Sequence, residues 1–337
     1  MNNLKKIGLS ALAGSLALTS AYAGELSVNG TANLTYTSTD NEKNNSTGNR
    51  IGSETEMSFT GSGDVNGYTV SYFTALNNTG SGIVSHNIGI DMGDLGKIEF
   101  DQGVGGNGAT AIDDKSPSAY EESWDGFGTT AEVGLDAGTG STNVLQYTNT
   151  LGGIAINAAY DSEIDDADTT EGSTSRGSTA LAGSNYSIAL TSASLVEGLD
   201  VGVGFGETTI KDGRTTSINS ESVVGYANYT MGPVTVGYTQ SETSGRGYVA
   251  GADMTATTAY GVVFAVNENL SVSYNNHETD FKHDAAVDTT QEATGIAIAY
   301  TMGSASIKIQ NNEMDNLAGS TSAEDQERTE ISLSLAF

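Results

Sequence analysis

The sequence predicts an all-β protein, a sixteen-stranded antiparallel transmembrane β-barrel with short periplasmic turns and long outer loops, on three observations. The chain ends in an unbroken period-two segment, Glu327 to Phe337. In it Thr329, Ile331, Leu333, Leu335 and Phe337 share one face, and Glu330, Ser332, Ser334 and Ala336 share the other. Similar short alternating segments recur from Leu26 onward, joined by brief and long connections in turn. After the N-terminal region no uncharged apolar stretch reaches the ~20 residues a membrane helix needs. A chain of this kind crosses lipid only as strands that pair all the way round and so satisfy their backbone groups.

The first segment, Leu26 to Tyr36, sets Leu26, Val28, Ala32, Leu34 and Tyr36 against Ser27, Asn29, Thr31, Asn33 and Thr35. A polar connection, Ser38 to Asn49, leads to Ile51–Gly61, and the brief turn Gly63 to Gly67 leads to Tyr68–Leu76. His86–Met92 and Ile98–Gln102 are joined by Gly93-Asp-Leu-Gly96, and Leu145–Asn149 and Ile154–Tyr160 by Leu151-Gly-Gly153. Tyr186–Ser192 meets Leu199–Phe205 across Val196-Glu-Gly198, and Val223–Met231 meets Val234–Tyr238 across Gly232-Pro233. Tyr260–Val266 meets Leu270–Tyr274 across Asn267-Glu-Asn269, and Ile296–Met302 meets Ala305–Ile309 across Gly303. With the last segment this makes an even number of strands, as single-chain barrels require. Both prolines, Pro117 and Pro233, fall in connections, where they remove no ladder hydrogen bond.

Composition sets the compartment and excludes several functions. Lys5 and Lys6, the short apolar run Ile7 to Leu18 and the small-x-small Ala21-Tyr22-Ala23 read as a secretory signal over residues 1–23, leaving residues 24–337 as one barrel domain. The mature chain then carries 11 Lys and Arg against 42 Asp and Glu, a net charge of −31. Such a balance argues against a nucleic-acid partner, because phosphate binding needs a positive surface. Cysteine is absent, so neither disulfides nor a thiol nucleophile are available. Forty-three glycines against two prolines, and fifteen tyrosines against one tryptophan, suit many strands with tight turns. Tyr36, Tyr72, Tyr147, Tyr160, Tyr186, Tyr229, Tyr238, Tyr260, Tyr274 and Tyr300 fall toward the ends of apolar faces, as interfacial girdles do.

Apparent catalytic motifs dissolve on reading, and no enzyme is expected. Gly103-x-Gly105-x-x-Gly108 matches a dinucleotide fingerprint, but no helical pattern follows and its surroundings are acidic. His86, His277 and His283 have no metal-ligand spacing; His277 and His283 read as residues of an acidic loop. No Gly-x-Ser-x-Gly elbow is present. Asp161, Glu163, Asp165, Asp166 and Asp168 offer hard oxygen ligands without the spacing of a twelve-residue calcium loop. Diffuse association of Ca2+ or Mg2+ with acidic loops is therefore the default, with no dedicated cofactor.

The chain resembles the trimeric general diffusion porins of Gram-negative outer membranes. The residues that carry the likeness are Glu25-Leu-Ser-Val-Asn-Gly30, the hairpins around Gly93–Gly96 and Gly232–Gly237, Asn143-Val-Leu-Gln-Tyr147 running into Gly152-Gly153, and the closing strand ending on Phe337, read as a barrel-closure and assembly signal. The resemblance implies a homotrimer in contact with outer-membrane lipid and lipopolysaccharide, and passive diffusion of small hydrophilic solutes. It also implies an inward-folded third loop, Gly103 to Ser141 here, whose acids Asp113, Asp114, Glu121, Glu122, Asp125, Glu132 and Asp136 would narrow the pore. Such porins set loop acids against a wall of arginines, and this sequence departs from that pattern. The lumen-face wall positions are Glu54, Glu56, Asp91, Lys97, Glu99, Asp101 and Lys308, in which acids outnumber bases. A net negative, cation-favouring lumen is expected. The alternative is a secreted or surface-anchored β-sandwich adhesin or binding protein, whose apolar faces would pack on each other.

Overall fold

Alternation becomes hydrogen-bonded structure in sixteen strands. A computed structural model describes residues 24–41, 49–78, 82–127, 142–161, 182–211, 217–245, 252–284, 286–321 and 325–337. In chain order the strands are β1 (Leu26–Asn41), β2 (Ile51–Val65), β3 (Tyr68–Asn77), β4 (Ile83–Asp91), β5 (Lys97–Gln102), β6 (Thr142–Leu151), β7 (Ile154–Asp161) and β8 (Ala182–Ser192). They continue with β9 (Leu199–Lys211), β10 (Ser217–Met231), β11 (Val234–Ser244), β12 (Met254–Ala265), β13 (Leu270–Lys282), β14 (Thr289–Met302), β15 (Ala305–Asp315) and β16 (Gln326–Ala336). Each pairs antiparallel with its sequence neighbours, and β1 pairs with β16 to close the barrel. Among the described residues no helix is long and apolar enough to cross a membrane. The assignment of residues 1–23 as a signal lies outside the described residues.

The barrel is inside out relative to a soluble protein. Val203, Tyr260, Val262, Ile296 and Ile307 are exposed on its outer surface, while Ser187, Thr239, Thr257, Asn275 and Gln310 are buried on the inner side of neighbouring strands. Apolar side chains facing outward match hydrocarbon, and a polar interior matches water. A sandwich would show the reverse, so that alternative is excluded. Nine of the ten tyrosines singled out above are exposed; Tyr147 instead lays its hydroxyl on the Leu95 carbonyl at 3.0 Å. Tyr229 and Tyr300 lie two residues from short turns, at the rim where a girdle belongs.

Strand closure uses the C-terminus directly. Gly30 N donates to Phe337 O at 2.8 Å and Phe337 N donates to Gly30 O at 2.9 Å, while the Phe337 ring occupies the space beside the Gly30 Cα. At the first hairpin, Asn66 (φ 56°) and Gly67 (φ 87°) form a two-residue turn with both residues left-handed, the geometry that matches strand twist. That turn is shorter than the Gly63–Gly67 turn the alternation suggests, because β2 continues through Val65. Several other strands overrun the expected limits in the same way. β13 runs on to Lys282 and β10 begins at Ser217. Outside the lipid both faces of a strand are wet, so apolar alternation stops before the hydrogen bonding does.

Candidate functional site

The segment after β5 turns into the lumen and follows its wall. Asp101 anchors the turn, accepting from Val104 N (3.1 Å), Gly105 N (2.9 Å) and Asn107 Nδ2 (2.6 Å). It is 2% exposed. Asp101 keeps the inward parity of Lys97 and Glu99, and three donors hold its carboxylate away from water. A 3-10 turn, Gly108–Ile112, then packs Ala109 and Ile112 on Ala189 of β8 and on Val224 and Tyr226 of β10.

From there the segment tracks the wall round to β16. Asn228 donates to Lys115 O (2.9 Å), Ala119 N donates to Ser273 Oγ (2.8 Å), and Glu121 N donates to Gln310 Oε1 (3.0 Å). The Tyr120 hydroxyl donates to Glu330 at 2.6 Å, with Lys308 Nζ 5.0 Å from the centre of its ring. Trp124 stacks on His277 of β13 at 4.2 Å between centroids and joins Phe127, Ala259, Ala293 and Met314 in a small apolar cluster. His277 therefore belongs to a strand and faces inward, not to a loop. Arg328 Nη1 donates to Asp125 O at 3.3 Å, and its Nη2 pairs with Glu330.

This path gathers five of the expected loop acids. Asp113 is pushed up to about 7, by burial first and then by the neighbouring Asp114. Glu122 is pushed up to about 8, by burial first and then by Asp114 and Asp125. Glu121 is also raised, by burial and then by Glu330 and Asp125. Asp125 caps its own turn, accepting from Glu122 N at 3.1 Å and donating its N–H to Glu122 O at 3.2 Å. Glu132 and Asp136 lie outside the described residues.

The wall positions divide into matched and unmatched charge. Lys97 pairs with Glu99 at 2.6 Å, and Asp91 accepts from Gly93 N at 2.8 Å. Glu54 and Glu56 on β2 face the lumen, opposite in parity to the outward Met57; Glu54 accepts from Asn77 Nδ2 at 3.1 Å. Among the described residues no lysine or arginine pairs with either glutamate. Below the 3-10 turn a cavity of about 630 Å3 opens toward the short turns, lined by Asp91, Lys97, Lys115, Asn157, Asp200 and Tyr226 among others.

Residues that the alternation did not single out include Tyr120, Trp124, Arg328 and Ile112. A signal for them exists in the sequence. Ala189, Val224, Ala259, Ala293 and Met314 are apolar side chains at inward parity, where a wet lumen wants polar ones, and each lies under the loop.

The family model for the Gram-negative porin matches residues 8–317. The chain belongs to the Gram-negative porin family. As such a porin it is an outer-membrane, multi-pass β-barrel channel. Among solved structures it is similar to an anion-selective porin from Comamonas acidovorans, at 12% identity and a TM-score of 0.65, covering 93% of this chain and 99% of that one. It is similar also to OmpF of Salmonella typhi in complex with daunomycin, at 15% identity and a TM-score of 0.64, covering 93% and 98%. OmpT of Vibrio cholerae in a trimer form matches at 12% identity and a TM-score of 0.64, covering 93% and 99%. These likenesses show the fold. No curated protein matches the porin in sequence.

Proposed function

We propose that this porin passes small hydrophilic solutes and ions by passive diffusion with a preference for cations, and that it has no catalytic role. The observation that carries the preference is the charge on the lumen face. Glu54 and Glu56 have no basic partner among the described residues, whereas two lumenal bases, Lys97 and Arg328, are matched by Glu99 and Glu330. In a narrow water-filled passage unmatched carboxylates concentrate cations and exclude anions, because a permeating ion stays within the ~8 Å over which a charge is felt before physiological salt screens it. Asp113, Asp114, Glu121, Glu122 and Asp125 add to this from the loop, with Glu132 and Asp136 of the same connection. Asp91 and Lys308 complete the wall set.

The test compares wild type with E54Q/E56Q in a planar bilayer under a KCl gradient. The double variant is expected to lower the ratio of K+ to Cl− permeability. An unchanged ratio removes the wall glutamates from the selectivity mechanism.

We read the assembly as a homotrimer, on the family and on the trimer form of the similar OmpT. Conductance rising in groups of three equal steps supports that reading. Acidic outer loops are read as holding Ca2+ or Mg2+ diffusely beside lipopolysaccharide, so chelation is expected to loosen lipopolysaccharide from the purified protein and to leave the barrel folded.

A further inference from the structure

Loop seating follows a single row of the sheet register. Asn228, Gly237, Gly261, Asn275, Gly295 and Asn312 are successive cross-strand partners on β10 to β15, and Arg328 on β16 ends the row. The three glycines keep ordinary extended backbone angles, so strand conformation does not call for them, and glycine in a strand interior is otherwise unfavourable. Space calls for them. A Cβ on Gly237 would overlap the Pro117 ring, one on Gly261 would overlap the Pro117 carbonyl, and one on Gly295 would stand 3.0 Å from the Ser123 Cβ. Glycine here marks where another backbone comes close.

The asparagines hold what the glycines admit. Asn228 Nδ2 donates to Lys115 O at 2.9 Å, and Asn312 Nδ2 donates to Glu122 O at 3.1 Å. The amide oxygen of each leans over the adjacent glycine, Gly237 in one case and Gly295 in the other, filling the place where a side chain would begin. Both oxygens are buried and accept no hydrogen bond. The same arrangement of an asparagine beside a glycine thus clasps the loop at two carbonyls, near either end of the row.

We propose that this Gly–Asn row is the positioning element of the pore: it fixes how far the loop stands from the wall, and so sets aperture, through side-chain volume on β10 to β15. The proposal rests on reading the loop as the constriction. The two can be tested apart, because the porin has one tryptophan and it lies on the loop. Trp124 is 6% exposed and stacked on His277, so its fluorescence reports seating whatever the channel conducts.

The experiment uses the full chain folded in detergent and inserted in bilayers, with G261V, N228A/N312A and the control G52V. Gly52 shares the lumen face of β2 with Glu54 and Glu56 and meets nothing within 4 Å. Heat-modifiable gel migration establishes folding, acrylamide quenching reads Trp124, and single-channel conductance reads aperture. G261V and N228A/N312A are expected to raise the quenching constant about twofold or more, as local release of a buried segment does, and to shift conductance; G52V is expected to leave quenching as in wild type. Trp124 staying protected in the folded variants overturns the proposal, as does its release in G52V. Release of Trp124 with unchanged conductance upholds the row and removes the constriction reading instead. Should G261V not fold, N228A/N312A, which adds no volume, decides.

Discussion

Asp113 and Glu122 show how position changes the charge a carboxylate brings to a pore. Half-buried on the loop beside other acids, their carboxyls ionise near 7 and near 8. Below those values each is neutral and contributes nothing to selectivity; raising the pH through 7 and then 8 adds a negative charge at each. Cation preference is therefore expected to rise with pH across that window, and D113N/E122Q to flatten the rise, measured by reversal potential at several pH values. A preference that falls with rising pH contradicts the assignment. Asp101 acts differently, as a buried acceptor for three donors. D101A is expected to cost about 3 kcal/mol by leaving those donors unpaired, seen as a lower unfolding temperature in detergent with strand content unchanged. At this scale the sequence was legible in part. Parity alone puts Glu54, Glu56, Lys97 and Glu99 on the inner face. It cannot show that Asp101 folds back onto Gly105, because that depends on where the loop turns. Nor can it show that Tyr120 meets Glu330, 210 residues away.

Strands and loop differ in what encodes them. Apolar alternation depends on lipid, so it locates each strand where it crosses the membrane and loses it beyond. This is why Leu26–Tyr36 and Leu270–Tyr274 were readable, while the continuations to Asn41 and Lys282, polar on both faces apart from Phe281, were not. His277 falls in such a continuation. The inward course of the loop had a second trace, apolar residues such as Val224 and Met314 at wet positions, which makes sense only once a loop covers them. The C-terminal strand carries its own test. Phe337 exchanges two backbone hydrogen bonds with Gly30 and lays its ring against it, so removing Phe337 frays the seam between β1 and β16. The truncated chain is expected to yield clearly less heat-modifiable barrel in outer membranes than wild type. Equal yield would separate closure from the terminal residue.

The molecule as a whole rests on an inversion, with apolar side chains outside and a polar interior. Sixteen strands and their closure follow from period, connection length and the need to satisfy every backbone group in lipid. Export is read from residues 1–23, and mass spectrometry of the outer-membrane protein is expected to find Gly24 at the N-terminus. On the proposed cation preference, the sign of selectivity is where this porin would part from the similar anion-selective porin of Comamonas acidovorans. On that proposal the sign is set by unmatched wall carboxylates rather than by the fold the two share. The most direct measurement is the reversal potential of the wild-type channel across a KCl gradient at a pH above 8. A potential on the K+ side of zero is the expected result, and one on the Cl− side contradicts the account.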